Sequence, residues 1–179
     1  GKNMSSIQNQ TKAIFSQMQS DFSQANADQG LGSLGEWPPA GEHNCYVLDV
    51  MTSHDRTFRQ SSDGQEFPAA TVQFTYQLCD DPDRAEPLVF KGAPMTLCGD
   101  PTQLTHEGSQ IRNRIEMSRL KGHLKTLLSR EPNDIAADLD EISTRLNGEE
   151  AVAAVVRCQY TERGTRTYRS EYIQTLLGG

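Results

Sequence analysis

Residues 68–78 read PAATVQFTYQL, with Pro68, Ala70, Val72, Phe74, Tyr76 and Leu78 at one parity and Ala69, Thr71, Gln73, Thr75 and Gln77 at the other. Successive side chains of a strand point to opposite faces, so this alternation predicts a half-buried strand. Upstream, CYVLDVMT (45–52) is a second β-rich run, and the intervening HDRTFRQSSDGQE carries Asp63-Gly64, a hairpin-turn signal. Past the loop-like DDPDRAEP, the run LVFKGAPM (88–95) predicts a third strand that ends near Pro94, since proline cannot donate to a ladder. Three antiparallel strands in succession form a meander.

The period then becomes helical. GSQIRNRIEMSRLKGHLKTLLSR places Met117, Leu120, Leu124, Leu127 and Leu128 along one stripe, while Ile111 and Ile115 fall off it. Either the first turn packs elsewhere or the helix bends near Gly108 or Gly122. A second helix is predicted from an N-cap at Asn133, with Ile135, Leu139, Ile142 and Leu146 on one face and a stop at Asn147-Gly148. The final runs, AVAAVVRCQY and TRTYRSEYI, flank ERG and predict a hairpin. Ahead of all this, residues 5–28 are Gln/Ser-rich and place Ile7, Ile14, Phe15, Met18 and Phe22 along one helical stripe. We expect an amphipathic arm over 1–35, joined through QGLGSLGEWPPAG to a domain over 36–179. Such an arm serves either as a contact for a second copy of the chain or as a frayed terminus.

Three strands, a helical connection and a two-strand hairpin give the element order of an OB-fold. The expected class is therefore mainly β: a five-stranded OB-fold-like Greek-key barrel with helices between strands three and four and an N-terminal helical arm. An open α+β sheet of the same order is the structural alternative.

Composition narrows the function. The longest apolar run, AVAAVV (151–156), is far shorter than the roughly 20 residues a membrane-spanning helix needs. No basic segment followed by an apolar one opens the chain, so the expected compartment is the cytoplasm. Cys45, Cys79, Cys98 and Cys158 are too scattered for any CxxC pair, and His43, His54, His106 and His123 lack zinc-ligand spacing. Buried thiols, with neither metal nor cofactor, are expected. The net charge of −7 is uneven: residues 1–100 hold 6 Lys+Arg and 13 Asp+Glu, whereas 101–179 hold 11 of each. An acidic total is compatible with a local basic surface. No GxGxxG, Walker-type or GxSxG pattern occurs, and the His54-Asp55 and Glu42-His43 neighbours point to opposite faces of a strand, so no enzyme is expected. The Asp80, Asp81, Asp83 cluster lacks the glycine and terminal glutamate of a calcium loop and reads as a turn.

Single-strand binding needs cations for phosphates and rings on which bases stack. In the last hairpin, an even-length turn buries Val152, Ala154, Val156 and Cys158 and leaves Arg157, Arg166, Tyr168 and Tyr172 together outside. An odd-length turn sends both tyrosines inward and separates the arginines. The first option keeps the apolar face of strand four buried, although strand five then offers only Thr165, Thr167, Arg169, Glu171 and Ile173 to the interior. The loop between strands one and two adds Arg56, Phe58 and Arg59, either as a phosphate and base contact or as a solvated loop anchored by its phenylalanine. The helical run holds Arg112, Arg114, Arg119, Lys121, Lys125 and Arg130 against Glu116, on both sides of its leucine stripe, which reads as dispersed surface charge.

In order, PPAGEHNCYVLDV, GQEFPAATVQFTY, FKGAPM, RLKGHLKTLL and LNGEEAVAAVV give the chain a resemblance to OB-fold single-stranded-DNA-binding proteins of phages and prophages. The likeness covers roughly residues 38–175 and rests on Pro39 to Glu42, Gly64, Arg119 to Leu128 and Gly148. The Gln/Ser-rich arm has no counterpart in that family, and no acidic tail follows the last strand. The resemblance implies a non-enzymatic, sequence-tolerant binder of single-stranded DNA, with RNA as the other candidate polymer, serving phage replication or recombination. A protein-interaction OB-domain that forms homo-oligomers through residues 5–28 is the alternative.

Overall fold

The computed structural model describes residues 35–79 and 81–178, so the predicted arm over 5–28 lies outside the described residues. Six antiparallel strands form one open sheet: β1 (Gly41–Arg59), β2 (Glu66–Leu78), β3 (Val89–Lys91), β4 (Met95–Cys98), β5 (Val152–Arg163) and β6 (Arg166–Leu176). Their order is β3-β2-β1-β5-β6, with β4 also paired to β2. Between β4 and β5 run a single 3-10 turn (Pro101–Gln103) and two helices, α1 (Glu107–Leu128) and α2 (Ile135–Leu146). No helix among the described residues is long and apolar enough to cross a membrane.

The 19-residue β1 organises the sheet. Its first part, Gly41–Val47, pairs with β5, while register shifts at Val47/Asp49 and Ser53/Arg56 bend it along β2. Extra residues in one strand increase local twist and re-aim side chains. The effect appears in β2, where Val72, Phe74, Tyr76 and Leu78 are buried as the alternation predicts, but nearer the turn the phase reverses. There Phe67 and Ala69 are buried and Pro68 is exposed, against the expectation for Pro68 and Ala70. The sheet thus serves two cores. The larger gathers Phe74, Tyr76, Phe90, Met95, Leu120, Leu124, Ile142 and Val156; the smaller holds Phe58, Phe67, Ala69, Cys98 and Leu104.

The predicted third strand is two short strands. Between Lys91, opposite Thr75, and Met95, opposite Val72, one more residue stands on this side than on β2. The ladder breaks at Gly92-Ala93-Pro94, and strand structure resumes past Pro94 instead of ending there. Such a break releases backbone groups that must find other partners. Gln73 Nε2 donates to the Gly92 carbonyl at 2.9 Å. Both groups of Ala93 are taken by distant side chains: its N–H donates to Glu171 Oε1 at 2.9 Å, and its carbonyl accepts from Arg119 at 2.7 Å.

Helix α1 runs unbroken through Gly122 and buries Leu120, Leu124, Leu127 and Leu128 of the predicted stripe, with Met117 half-buried against the same core. Ile111 and Ile115 lie on its exposed flank. Helix α2 packs on β1 and α1. Its N-cap is Asp134, whose carboxylate accepts from Ala137 N at 3.0 Å, and not Asn133 as the sequence pattern indicates. Asn133 instead donates its backbone N–H to the buried Asp138 carboxylate, which also pairs with Arg130 at 2.8 Å. These contacts, the Arg130 hydrogen bond foremost, hold the Asp138 carboxyl below its ordinary range.

The Gly- and Pro-punctuated segment packs on the domain from Gly35 onward. Trp37 is buried against Phe90 and Tyr160, donates Nε1–H to the Lys91 carbonyl at 2.8 Å, and carries the Arg169 guanidinium 5.6 Å above its ring. Tyr160 donates to the Pro38 carbonyl and Arg169 to that of Gly35, so the segment read as linker is stitched to β5 and β6.

Candidate nucleic-acid interface

The turn of the last hairpin decides which of its side chains face solvent. Arg163 pairs with Arg166, leaving a two-residue turn of Gly164 and Thr165. Gly164 has φ +63° whereas Thr165 is not in the left-handed region, the pattern of a type II′ turn with glycine at its first central position. The even-length option holds. Ala154, Val156, Cys158, Glu171 and Ile173 are buried, and the opposite face carries the Arg157–Tyr172, Thr161–Tyr168 and Arg163–Arg166 pairs.

On that outer face, the Arg157 guanidinium lies 4.8 Å from the centroid of the Tyr172 ring. Arg157 stands opposite Glu42 of β1. In the amide orientation that satisfies both neighbours, Gln174 accepts from Arg157 Nε at 3.1 Å and donates to Glu42 at 2.8 Å. This row fixes the guanidinium over the ring and offsets part of its charge. Tyr168 is 43% exposed. It sits four residues from Tyr172, about 13 Å along the strand.

The second predicted cluster divides. Arg56 and Arg59 are exposed, but they belong to β1 and not to a loop, because the ladder with β2 continues to the Arg59–Glu66 pair. Phe58 is only 2% exposed, opposite Phe67, with Arg112 of α1 4.3 Å above its ring. It is a core residue with no face for a base. The true turn, 60–65, is anchored to the start of α1 by buried Gln60, whose Oε1 accepts from the backbone N–H of Thr105 and His106 at 2.8 and 3.0 Å. Arg112 donates to the Arg59 carbonyl at 2.7 Å and reinforces the same junction.

Beneath the hairpin lies a constellation that sequence reasoning missed. The Glu171 carboxylate, fully buried, accepts from the Tyr76 hydroxyl at 2.5 Å and the Ala93 N–H at 2.9 Å. Arg119 approaches at 3.2 Å and His123 Nε2 at 3.3 Å. Gly92 belongs to the arrangement, because a Cβ there would collide with the carboxylate. Burial alone would raise the Glu171 carboxyl; the His123 hydrogen bond and charge, the Arg119 charge and the Tyr76 hydroxyl outweigh it and hold the group below its ordinary range. Burial, then the Glu171 charge, pushes the Tyr76 phenol well up, and the same two causes bring the Cys158 thiol to about 12. At neutral pH the ionised member is thus the carboxylate, while phenol and thiol keep their protons. The one sequence signal was an acidic residue at an inward parity of a strand, which identifies a buried charge but not its partners.

An open groove of about 480 Å³ runs beside this cluster between α1 and β6, with Ile115, Ser118, Gly122 and Tyr172 among its walls. Among the described residues no three His, Cys, Asp or Glu side chains converge for a metal ion. Cys45, Cys98 and Cys158 are buried and Cys79 is exposed. No family model matches the chain, and no curated protein or solved structure is significantly similar to it.

Proposed function

We propose that the described domain is an OB-fold-like barrel that binds single-stranded DNA, without catalysis and with little sequence preference, on the outer face of its last hairpin. The observation that carries this reading is the two-residue turn, which gathers Arg157, Arg166, Tyr168 and Tyr172 on one solvent-facing wall. Cations over phosphates and phenol rings under bases are the two components of sequence-tolerant single-strand recognition. Arg56 and Arg59 contribute charge from the far end of β1; Phe58 is withdrawn from the site.

The OB-fold reading is supported by the strand order and by the helical connection between the meander and the hairpin. No ladder joins β3 or β4 to β6 among the described residues. The Glu171 side chain spans that seam to Ala93 where an OB-fold barrel would close. A role in phage or prophage replication or recombination follows from the family resemblance and belongs to the same proposal.

The test is a fluorescence-anisotropy titration of the protein with labelled oligo-dT and with a duplex of equal length, each at two salt concentrations. The expected result is tighter binding of the single strand, with log K falling against log salt at about 0.7 per phosphate contacted. Equal affinity for both polymers, or none for either, contradicts the proposal.

A further inference from the structure

Resting on the single-strand reading above, we infer that the groove between α1 and β6 accepts one unstacked nucleobase of the bound strand, with its phosphate at Arg114. The groove, about 480 Å³, is lined mainly by Ile111, Ile115, Gly122, Tyr172 and Ile173, with Arg114 and Ser118 as polar members. Largely apolar walls with a few placed polar groups describe a small-ligand site of ordinary size. Ile111 and Ile115 are 41% and 54% exposed, on the flank of α1 that the leucine stripe leaves bare.

Charge decides how an occupant would lie. Arg119 and His123 also line the groove, but both are engaged by the Glu171 carboxylate, and Arg119 additionally by Glu116 at 3.3 Å. The inner wall therefore has its cationic charge countered and does not call for an anion. Arg114 is exposed. An occupant with a flat, uncharged body and an anionic link fits this division, with the body among the isoleucines and the link at Arg114. A nucleotide has that form, and in a duplex its base is paired and stacked away.

Continuity with the hairpin face favours a nucleotide over a peptide. Tyr172 both walls the groove and carries Arg157 on the outer face. Along α1, Arg112 covers Phe58 next to Arg59, and Arg114 follows at the groove.

Gly122 supplies the test. A Cβ added there meets nothing within 4 Å, and the residue lies inside a helix, so Gly122→Leu extends into the groove from an open position and favours the helix. Oligo-dT is titrated against wild type, Gly122→Leu and the hairpin variant Tyr168→Ala, with melting midpoint and solution mass measured for each. Expected is binding by wild type, a loss of about 5-fold or more in Gly122→Leu, as for one stacked base, and an undiminished melting midpoint. Should Gly122→Leu misfold, Ile115→Ala, at an exposed wall position, is expected to show the same loss. Wild-type affinity in the groove variant, with Tyr168→Ala weakened, overturns the groove assignment and leaves the hairpin reading standing. Wild-type affinity together with a lower mass in Gly122→Leu assigns the groove to a second copy of the chain and overturns a nucleotide occupant. Absence of oligo-dT binding by wild type removes the hairpin reading, and this one with it.

Discussion

Glu171→Ala is expected to lower the melting midpoint by roughly 10 °C or more, the largest stability effect of any single substitution proposed for this domain. The carboxylate is the counter-charge of buried Arg119 and the acceptor for Tyr76, His123 and the Ala93 N–H. Alanine leaves the buried Arg119 guanidinium with only the partly exposed Glu116 as counter-charge, and an unpaired backbone donor at the ladder break. Removing one partner of a buried ion pair costs about 3–5 kcal/mol, whereas replacing a whole cluster by apolar groups is often neutral. Glu171→Gln, which keeps an acceptor for Ala93 but lacks the charge, is expected to fall between wild type and alanine.

The pH dependence has a definite sign. The Glu171 carboxyl is lower in the folded protein than its ordinary value of about 4.3, so on acidification the unfolded chain takes up the proton first. Its contribution is complete above that ordinary value and is lost as pH falls through the folded value. Asp138, held down chiefly by its hydrogen bond to Arg130, acts in the same direction, its contribution complete above the ordinary Asp value of about 3.9 and lost as pH falls through the folded value. Thermal melts from neutral to acid pH should show a falling midpoint in wild type and a flatter acid limb in Glu171→Gln. An unchanged midpoint in Glu171→Ala would mean that the seam beside the ladder break is held by something other than this carboxylate.

The second large effect concerns binding. Tyr168→Ala and Tyr172→Ala are each expected to weaken oligo-dT binding by roughly 5- to 150-fold, corresponding to about 1–3 kcal/mol per stacked base. Tyr168, 43% exposed, should leave stability within about 0.5 kcal/mol of wild type. Tyr172 is more enclosed and supports Arg157, so its loss also disturbs the guanidinium row. The tyrosine variants should keep the salt slope of wild type. Arg157→Ala or Arg166→Ala should reduce it by about 0.7. A uniform loss of salt dependence in all four would show that the rings and cations do not act separately.

Local patterns were readable where packing follows period. Alternation identified the buried face of β2 from Val72 to Leu78, and steps of three and four identified the buried leucines of α1. The phase reversal at Phe67 and Ala69 was not readable, because it follows from bulges in β1, a different strand. Nor was the break at Gly92-Ala93-Pro94, which is satisfied by a side chain 78 residues away. Trp37 looked like part of a linker because its neighbours are Gly and Pro; its burial depends on Lys91, Tyr160 and Phe90.

The site shows the same division. Sequence reduced the hairpin to two parities, and the φ of Gly164 with the Arg163–Arg166 pair selects one. The objection to that parity, that strand five offers only Thr165, Thr167, Arg169, Glu171 and Ile173 inward, is answered by the cluster that receives Glu171, by Trp37 beneath Arg169, and by the exposure of Thr165 and Thr167 beside the turn. Of the two readings open for Phe58, a base contact or an anchor, its burial matches the anchor: Phe67 and Arg112, which enclose it, come from β2 and α1, so its own flanking cations could not decide between them.

The central claim, that the outer wall of the last hairpin holds the single strand, is tested most directly by photo-cross-linking. Oligo-dT carrying iodo-deoxyuridine is irradiated with the protein, and the adducts are mapped by mass spectrometry. The account predicts adducts on Tyr168 or Tyr172 that disappear with excess unlabelled single strand and persist with excess duplex. Adducts confined to surfaces away from β5 and β6, such as Met51 where β1 pairs with β2, would contradict it.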